Sequence, residues 1–215
     1  MPSLYSSETS NIDPWAVQKR ISTSDARYAL ASTLMPITGL DFINYRSGVM
    51  ASGDGGGTHL AGLVTPAGGM KVSVNPANVI LNTPNSGPYM GVIDEVKTLD
   101  VQPASSTANR IDVVVVRVYD DLNPAIGSSP DERKLTVEVW TGDETTGEPG
   151  PPTLPIPAGW HPLAYIRVDS GTSAITEAMI TDMRGPGLVT RGGMRALYGA
   201  DALVSGDEFQ SPGAY

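Results

Sequence analysis

The stretch RIDVVVVRVY at residues 110–119 decides the fold class. It holds four consecutive valines at residues 113–116, and β-branched side chains favour extended strands. Because the run has no polar residue at alternate positions, both faces of the strand should be buried, as in the middle of a sandwich. We therefore predict that this segment is the strongest strand of the protein and lies inside a β-rich core.

Shorter segments around it show the alternation of half-buried strands. Apolar and polar residues alternate at 70–74 and at 135–140, and a further strand is predicted at 163–168. The turn-like residues 75–78 separate the first of these strands from the apolar residues 79–81, which predicts a hairpin. Strands with turn chemistry between them indicate a mainly β protein, an antiparallel β-sandwich or barrel-like domain.

Composition agrees with a β-rich, loop-rich chain. Gly (24) and Pro (18) make up about a fifth of the 215 residues, against roughly 12% in average proteins. Both residues interrupt helices. We divide the chain into an N-terminal arm at residues 1–39 with a short amphipathic helix, a β-sandwich-like assembly domain at 40–185, and a C-terminal tail at 186–215.

The arm and the tail hold the candidate interface residues. Asp13 followed by Pro14 is typical of a helix start, and a short helix needs a surface on which to dock. That surface could belong to the same domain or to a partner subunit, and the sequence leaves both alternatives open. The candidates are Trp15, Val17, Ile21, Tyr28 and Leu34 in the arm and Leu197, Tyr198 and Phe209 in the tail.

Charge argues against two classes of partner. The formal net charge is −9, so the chain should be repelled by nucleic-acid phosphates and by anionic membranes. The longest apolar run is too short to span a bilayer, and residues 1–15 lack the pattern of a secretory signal. We expect synthesis in a cytoplasm, no nucleic-acid binding and no membrane insertion.

The sequence gives little support for catalysis or for a cofactor. The absence of Cys excludes disulfides and thiolate nucleophiles, and the only two histidines, His59 and His161, lie in loop-like contexts. The glycine-rich residues 52–57 lack the Lys-Ser/Thr of a phosphate-binding loop. We expect no enzymatic activity, no cofactor and no metal site. Whether the acidic loop with Asp120, Asp121, Asp131 and Glu132 holds a metal ion stays open.

Two charged triplets are candidates for structural ion pairs. Arg110 and Asp112 open the valine strand, and Asp182 and Arg184 close the β zone. Residues two apart lie on the same face of a strand. If the two segments are adjacent, Arg110 could pair with Asp182 and Asp112 with Arg184, which would fix the strand register; a ligand site is the alternative.

These segments also carry a resemblance to a known family. They are GGMKVSVNPANVIL at 68–81, ANRID at 108–112 followed by VVVVRVYD, LPIPAG at 154–159, HPLAYIRV at 161–168, AIT at 174–176 and ITDMR at 180–184. In this order they resemble minor tail or baseplate (tail-tip) proteins of long-tailed bacteriophages, over about half of the chain. Many relatives continue into a long C-terminal fibre or enzymatic domain, whereas this chain stops about thirty residues after the last motif.

The resemblance implies a structural virion protein of the tail tip or baseplate. It implies an oligomeric adaptor or collar that contacts other phage tail proteins and links the tail to receptor-binding fibres during host attachment. The favoured homo-oligomer is a trimer, and a hexamer is the alternative. The alternative is a receptor- or glycan-binding module of the same apparatus, with Trp140, Trp160 and Tyr165 as its aromatic platform. The third hypothesis is a cell-wall hydrolase that uses His161 or Asp120.

Overall fold

The computed structural model describes residues 26–28, 34, 45–52, 59–83, 87–120, 123, 126, 133–152 and 159–185. Within these residues the chain forms ten strands and the 3-10 turn Glu177–Met179, and residues 26–28 and 126 are also helical. The strands are β1 (Gly48–Val49), β2 (Val64–Pro66), β3 (Lys71–Val74), β4 (Ala77–Leu81), β5 (Tyr89–Ile93), β6 (Lys97–Asp100), β7 (Arg110–Asp120), β8 (Arg133–Trp140), β9 (Trp160–Val168) and β10 (Ile180–Asp182). The 3-10 turn, Glu177–Met179, leads directly into β10.

The strands form three antiparallel sheets, with the orders β1-β4-β5, β10-β9-β7-β8 and β2-β3-β6. One hydrophobic core takes residues from all three, for example Val79 from β4, Val72 from β3 and Val114 from β7. The prediction of a mainly β, antiparallel protein is confirmed. Over the described residues the sheets are open, so the barrel-like alternative, in the sense of a closed barrel, is wrong.

Strand β7 is the long inner strand of the four-stranded sheet, as the valine run predicted. Val113, Val114, Val115 and Val116 are all 0% exposed. Val114 and Val116 belong to the main core, while Val113 and Val115 pack on the opposite face against Trp160. Burial on both faces is therefore confirmed, and it explains why this stretch has no polar alternation.

A β-bulge interrupts the pairing of β7 with β9. Val114 pairs with Ala164 and Val115 with Pro162, so Leu163 is an extra residue in β9. Proline has no backbone N–H to donate to a ladder and is placed at bulges for that reason. The bulge turns Leu163 toward the main core, where its side chain is 0% exposed.

The predicted hairpin of residues 70–81 is wrong. β3 pairs with β2 and β6, whereas β4 pairs with β1 and β5, so the two strands belong to different sheets. The turn-like pair Asn75 and Pro76 bends the chain rather than reversing it: Asn75 N–H donates to the Leu63 carbonyl and Pro76 O accepts from Gly62. Both strands then face one core, which the alternation of a single strand could not reveal.

Much of the arm and all of the tail lie outside the described residues. The predicted N-terminal helix is seen only at residues 26–28, and residues 186–215 are not described. No helix in the described part of the chain is long and apolar enough to cross a membrane.

Candidate functional site

Arg110 and Asp112 form a buried ion pair where β7 begins. Nε of Arg110 donates to Oδ1 of Asp112 at 2.9 Å, and the two side chains are 2% and 0% exposed. The Nη groups of Arg110 donate to the carbonyls of Gln102 at 2.6 Å and Pro103 at 3.1 Å. A buried charge is tolerated when its polar atoms are satisfied, and these bonds tie the start of β7 to the segment that precedes it.

Arg184 and Asp182 form a second ion pair at the end of the described chain, in which the Arg184 side chain is 4% exposed and that of Asp182 is 50% exposed. Nε and Nη2 of Arg184 donate to the Asp182 carboxylate at 2.9 and 2.5 Å. Its Nη1 donates to the carbonyls of His59 at 2.6 Å and Ala61 at 2.7 Å. Burial raises the pKa of Asp182, but the hydrogen bonds from Arg184 outweigh it and hold the pKa below its ordinary value. The pair therefore fastens β10 to the loop before β2.

The predicted cross-pairing of the two triplets is wrong, since each arginine pairs with the aspartate of its own triplet. β9 lies between β7 and β10. Asp182 pairs with Ala164, which pairs with Val114, four residues from Arg110 along β7. At roughly 3.3 Å per residue, that offset is about 13 Å. The four residues make two separate ion pairs, here called staples, instead of one network.

Both histidines lie next to the Arg184 staple. Nδ1 of His59 faces the Ser52 hydroxyl at 3.2 Å, and that hydroxyl also accepts the Ala61 N–H at 2.8 Å. Burial lowers the pKa of His59, and the positive charge of Arg184 lowers it further. Burial also lowers the pKa of His161, whose ring hydrogen-bonds to the Arg184 backbone. Sequence reasoning missed this convergence, because the two histidines are 102 positions apart.

This cluster does not bring together His161 and Asp120, the two residues named for the hydrolase hypothesis. His161 pairs with Val116 in β7, whereas Asp120 is at the end of that strand, where it pairs with Arg133 of β8. Asp120 instead accepts a hydrogen bond from the Tyr89 hydroxyl at 2.6 Å. Among the described residues, no group of three or more His, Asp or Glu is arranged to hold a metal ion. Asp121, Asp131 and Glu132 lie outside them.

The three aromatic residues of the glycan-binding alternative meet on the outer face of the four-stranded sheet. Val113 pairs with Trp140 on one side and with Tyr165 on the other. The rings of Trp140 and Trp160 are 5.3 Å apart and tilted by 58°. Trp160 is only 5% exposed and covers Val113 and Val115. The half-buried Trp140 and Tyr165 are thus the members that a ligand could reach.

A carboxylate organises the polar side of this aromatic face. Glu138 accepts hydrogen bonds from Thr136 at 2.6 Å, Tyr119 at 2.8 Å and the Trp140 indole at 2.9 Å. Burial raises the pKa of Glu138, but these bonds together outweigh it and hold the pKa below its ordinary value. Arg117 lies over the Tyr119 ring at 4.4 Å. The indole N–H of Trp160, in contrast, is buried without a hydrogen-bond partner in the described structure.

Two of the eight candidate interface residues are described, and both contact the chain's own β domain. Leu34 is 2% exposed and packs with Tyr45 and Ile80. Tyr28 lies beside Gly87, and burial raises the pKa of its hydroxyl. Both side chains therefore pack on the chain's own domain, which is one of the two alternatives for the arm. Six candidates lie outside the described residues: Trp15, Val17, Ile21, Leu197, Tyr198 and Phe209.

The sequence did not single out the most exposed apolar strand. Met90 and Val92 of β5 are 51% and 62% exposed, and Val96 just after the strand is 54% exposed. The signal was present as a short run without charge, YMGVI. Its spacing alone could not show that one face points outward.

Searches against protein-family models, curated proteins and solved structures found no match to this chain.

Proposed function

We propose that this chain is a structural virion protein of the tail tip or baseplate of a long-tailed bacteriophage. It acts there as an oligomeric adaptor or collar that links the tail to receptor-binding fibres during host attachment. One observation carries the proposal beyond the sequence resemblance. The charged residues of the resembling motifs pair within the chain: Arg110 pairs with Asp112, both buried, and the buried Arg184 pairs with the half-exposed Asp182.

Such use of the charged residues supports a structural role. Each guanidinium donates to a carboxylate and to two backbone carbonyls, so little of it is left for a ligand. Staples of this kind hold loops to strands and keep the outer surface of a module rigid. An assembly subunit requires a surface of fixed shape, since its contacts with neighbours are made along that surface.

Several finer features belong to this proposal. The three sheets around one core form a sandwich-like assembly domain over residues 40–185, flanked by the arm and the tail. The protein is a homo-oligomer, a trimer or a hexamer, and contacts other tail proteins. It is made in the host cytoplasm, becomes part of the virion, and functions without a cofactor or catalysis. The exposed apolar residues of β5 support a role in association.

Labelling of phage particles tests this function. Gold-conjugated antibodies raised against the purified chain should decorate one end of the tail in electron micrographs of the phage that encodes it. Antibodies against the phage's major capsid protein provide the control for particle integrity. Intact particles without any tail label, and without peptides of this chain by mass spectrometry, would show that it is not a virion protein.

A glycan-binding module is the second candidate, favoured by the aromatic face. Trp140 and Tyr165 are half-buried beside Trp160, whose buried indole N–H lacks a partner, and buried donors usually have one. Saccharide binding on a glycan array should then be lost in Trp140→Ala and kept in Val92→Ala, an exposed control on another sheet. No binding by the wild-type chain at millimolar saccharide would exclude this candidate.

A further inference from the structure

In the described part of the chain, strand β5 has an apolar outer face and one edge that pairs with no other strand. Within the described residues it pairs only with β4, so its other edge is not hydrogen-bonded to a strand. Met90 and Val92 alternate with inward-facing residues and are more than half exposed. A free edge with exposed apolar side chains is a template for pairing with another strand.

The other five sheet edges carry features that discourage such pairing. β1 has two residues, β2 has three and ends at Pro66, and β10 has three and ends at Asp182. β6 carries Lys97 and Asp100, and β8 carries Arg133, Lys134 and Glu138. Short length, proline and charge are the usual means of protecting an edge. β5, with the sequence YMGVI, has none of them.

Packing inside the chain fixes which face of β5 points outward. Gly91 lies against Leu135 of β8 so closely that a Cβ at this position would be 2.9 Å from the leucine methyl carbons. Ile93, on the same side, is 2% exposed. Met90 and Val92 therefore cannot turn toward the core without unpacking the strand, because successive side chains of a strand point to opposite faces.

We propose that β5 pairs antiparallel with β5 of a second copy of this chain, about a two-fold axis at Gly91. In this register Met90 of one copy lies opposite Val92 of the other, and the axis repeats that contact. The exposed apolar residues thus cover each other, as an isologous interface requires. Two three-stranded sheets of the order β1-β4-β5 become one six-stranded sheet.

Charge at the two ends of the strand fits this arrangement. The Arg27 guanidinium lies over the Tyr89 ring at 4.3 Å, at the beginning of β5. Asp94 and Glu95 follow the strand with side chains 78% and 74% exposed, and Lys97 pairs with both of them, which leaves one net negative charge at this end. An antiparallel pair brings the beginning of one β5 beside the end of the other, so the Arg27 end of each copy faces the net negative end of its partner.

Because this contact joins two copies of the chain, it rests on the proposed function as a homo-oligomer. It also restricts the number of copies in that oligomer. A two-fold contact cannot by itself close a trimer, but it can join two trimers into a hexamer. Of the two stoichiometries, the hexamer is the one that uses β5.

Engineered disulfides in the full-length chain test the register directly, since the protein has no Cys. Met90→Cys and Val92→Cys are made as separate variants, mixed, and oxidised. The mixture should give a disulfide-linked dimer, because directly opposite residues lie within the 4.4–6.8 Å Cα separation that a disulfide needs, which is roughly the cross-strand spacing. Each variant alone should give much less dimer, since its cysteines are diagonal. Leu60→Cys mixed with Met90→Cys is the control and should give none.

Light scattering of the double variant Met90→Lys/Val92→Lys completes the test. We expect its solution mass to fall by half, from the hexamer to the trimer, while the control Leu60→Lys, at a residue that is also exposed (39%), keeps the wild-type mass. An unchanged mass together with no dimer in the mixed variants would overturn the β5 contact. Tail labelling by antibody would still support the proposed function in that case. A cross-linked dimer of a chain that never labels virions would keep the contact and overturn the function.

Discussion

Gly142 donates its backbone N–H to Oδ1 of Asp112 at 3.0 Å, the same oxygen that accepts Nε of Arg110 at 2.9 Å. This carboxylate thus joins the beginning of β7 to the loop that follows β8. The loop approaches so closely that a Cβ at Gly142 would be 2.0 Å from the Ile111 carbonyl oxygen. The Asp112 carboxylate can therefore accept the Gly142 N–H only because the loop lies this close to the backbone of β7.

Replacement of Asp112 by Ala should destabilise the protein strongly. It removes the counter-charge of Arg110, whose side chain is 2% exposed, and breaking a buried pair in this way costs about 3–5 kcal/mol. Urea unfolding followed by tryptophan fluorescence gives the free energy of unfolding. Asp100→Ala is the matched control, because Asp100 pairs with Lys71 on the surface and exposed pairs contribute little. Equal losses in both variants would contradict the role given to the buried pair.

Replacement of Gly142 by Ala should also destabilise the fold, for a steric reason. The added methyl group meets backbone rather than a flexible side chain, and overpacking of this kind costs about 1–3 kcal/mol. Gly150→Ala is the control, since nothing lies within 4 Å of a Cβ at that position. Thermal unfolding of both variants should show a lower Tm only for Gly142→Ala. A wild-type Tm in that variant would mean that the loop can move away from Ile111 without cost.

The central strand could be predicted from the sequence because its signal is local. Four β-branched residues in a row specify an extended chain that is buried on both faces, and β7 has both properties. The charged triplets predict ion pairs, but which residues pair depends on the strand order β10-β9-β7. Strand order depends on contacts between distant segments. The sequence therefore favoured ion pairs between the two triplets, whereas the structure has one ion pair within each triplet.

Contacts between distant segments were beyond the reach of the sequence. His59 and His161 flank Arg184 only because the loop before β2 folds against the end of β10. The bend at Asn75 and Pro76 has the composition of a hairpin turn, yet it connects two sheets. Turn-forming residues show that the chain changes direction, but they do not determine which strand the next segment will pair with.

Stability should decrease as the pH falls below about 6.5, the ordinary histidine pKa. Burial lowers the pKa of His59 and of His161 in the folded state. The unfolded chain then binds protons at a pH where the folded chain does not, so acid favours unfolding. The stabilisation is complete above the ordinary pKa and is lost as the pH falls through the lower folded values.

Thermal unfolding between pH 7.5 and 5 measures this loss. The decrease in Tm over that range should be smaller in His161→Gln than in the wild type, because one of the two half-buried imidazoles is gone. Asp182 contributes in a separate window: its folded pKa lies below the ordinary value, so its stabilisation is lost only in more acidic solution. A Tm independent of pH between 7.5 and 5 would contradict the burial of the two rings.

Replacement of Leu34 by Ala should loosen the arm from its own domain. The side chain is 2% exposed and packs with Tyr45 and Ile80, and truncation of a buried leucine costs about 2–5 kcal/mol. We expect a lower free energy of unfolding and faster proteolysis on the N-terminal side of residue 45. Leu60→Ala, which removes the same atoms from a side chain that is 39% exposed, should change neither. If Leu34→Ala leaves both measurements at wild-type values while the oligomer dissociates, the arm serves a partner subunit rather than its own domain.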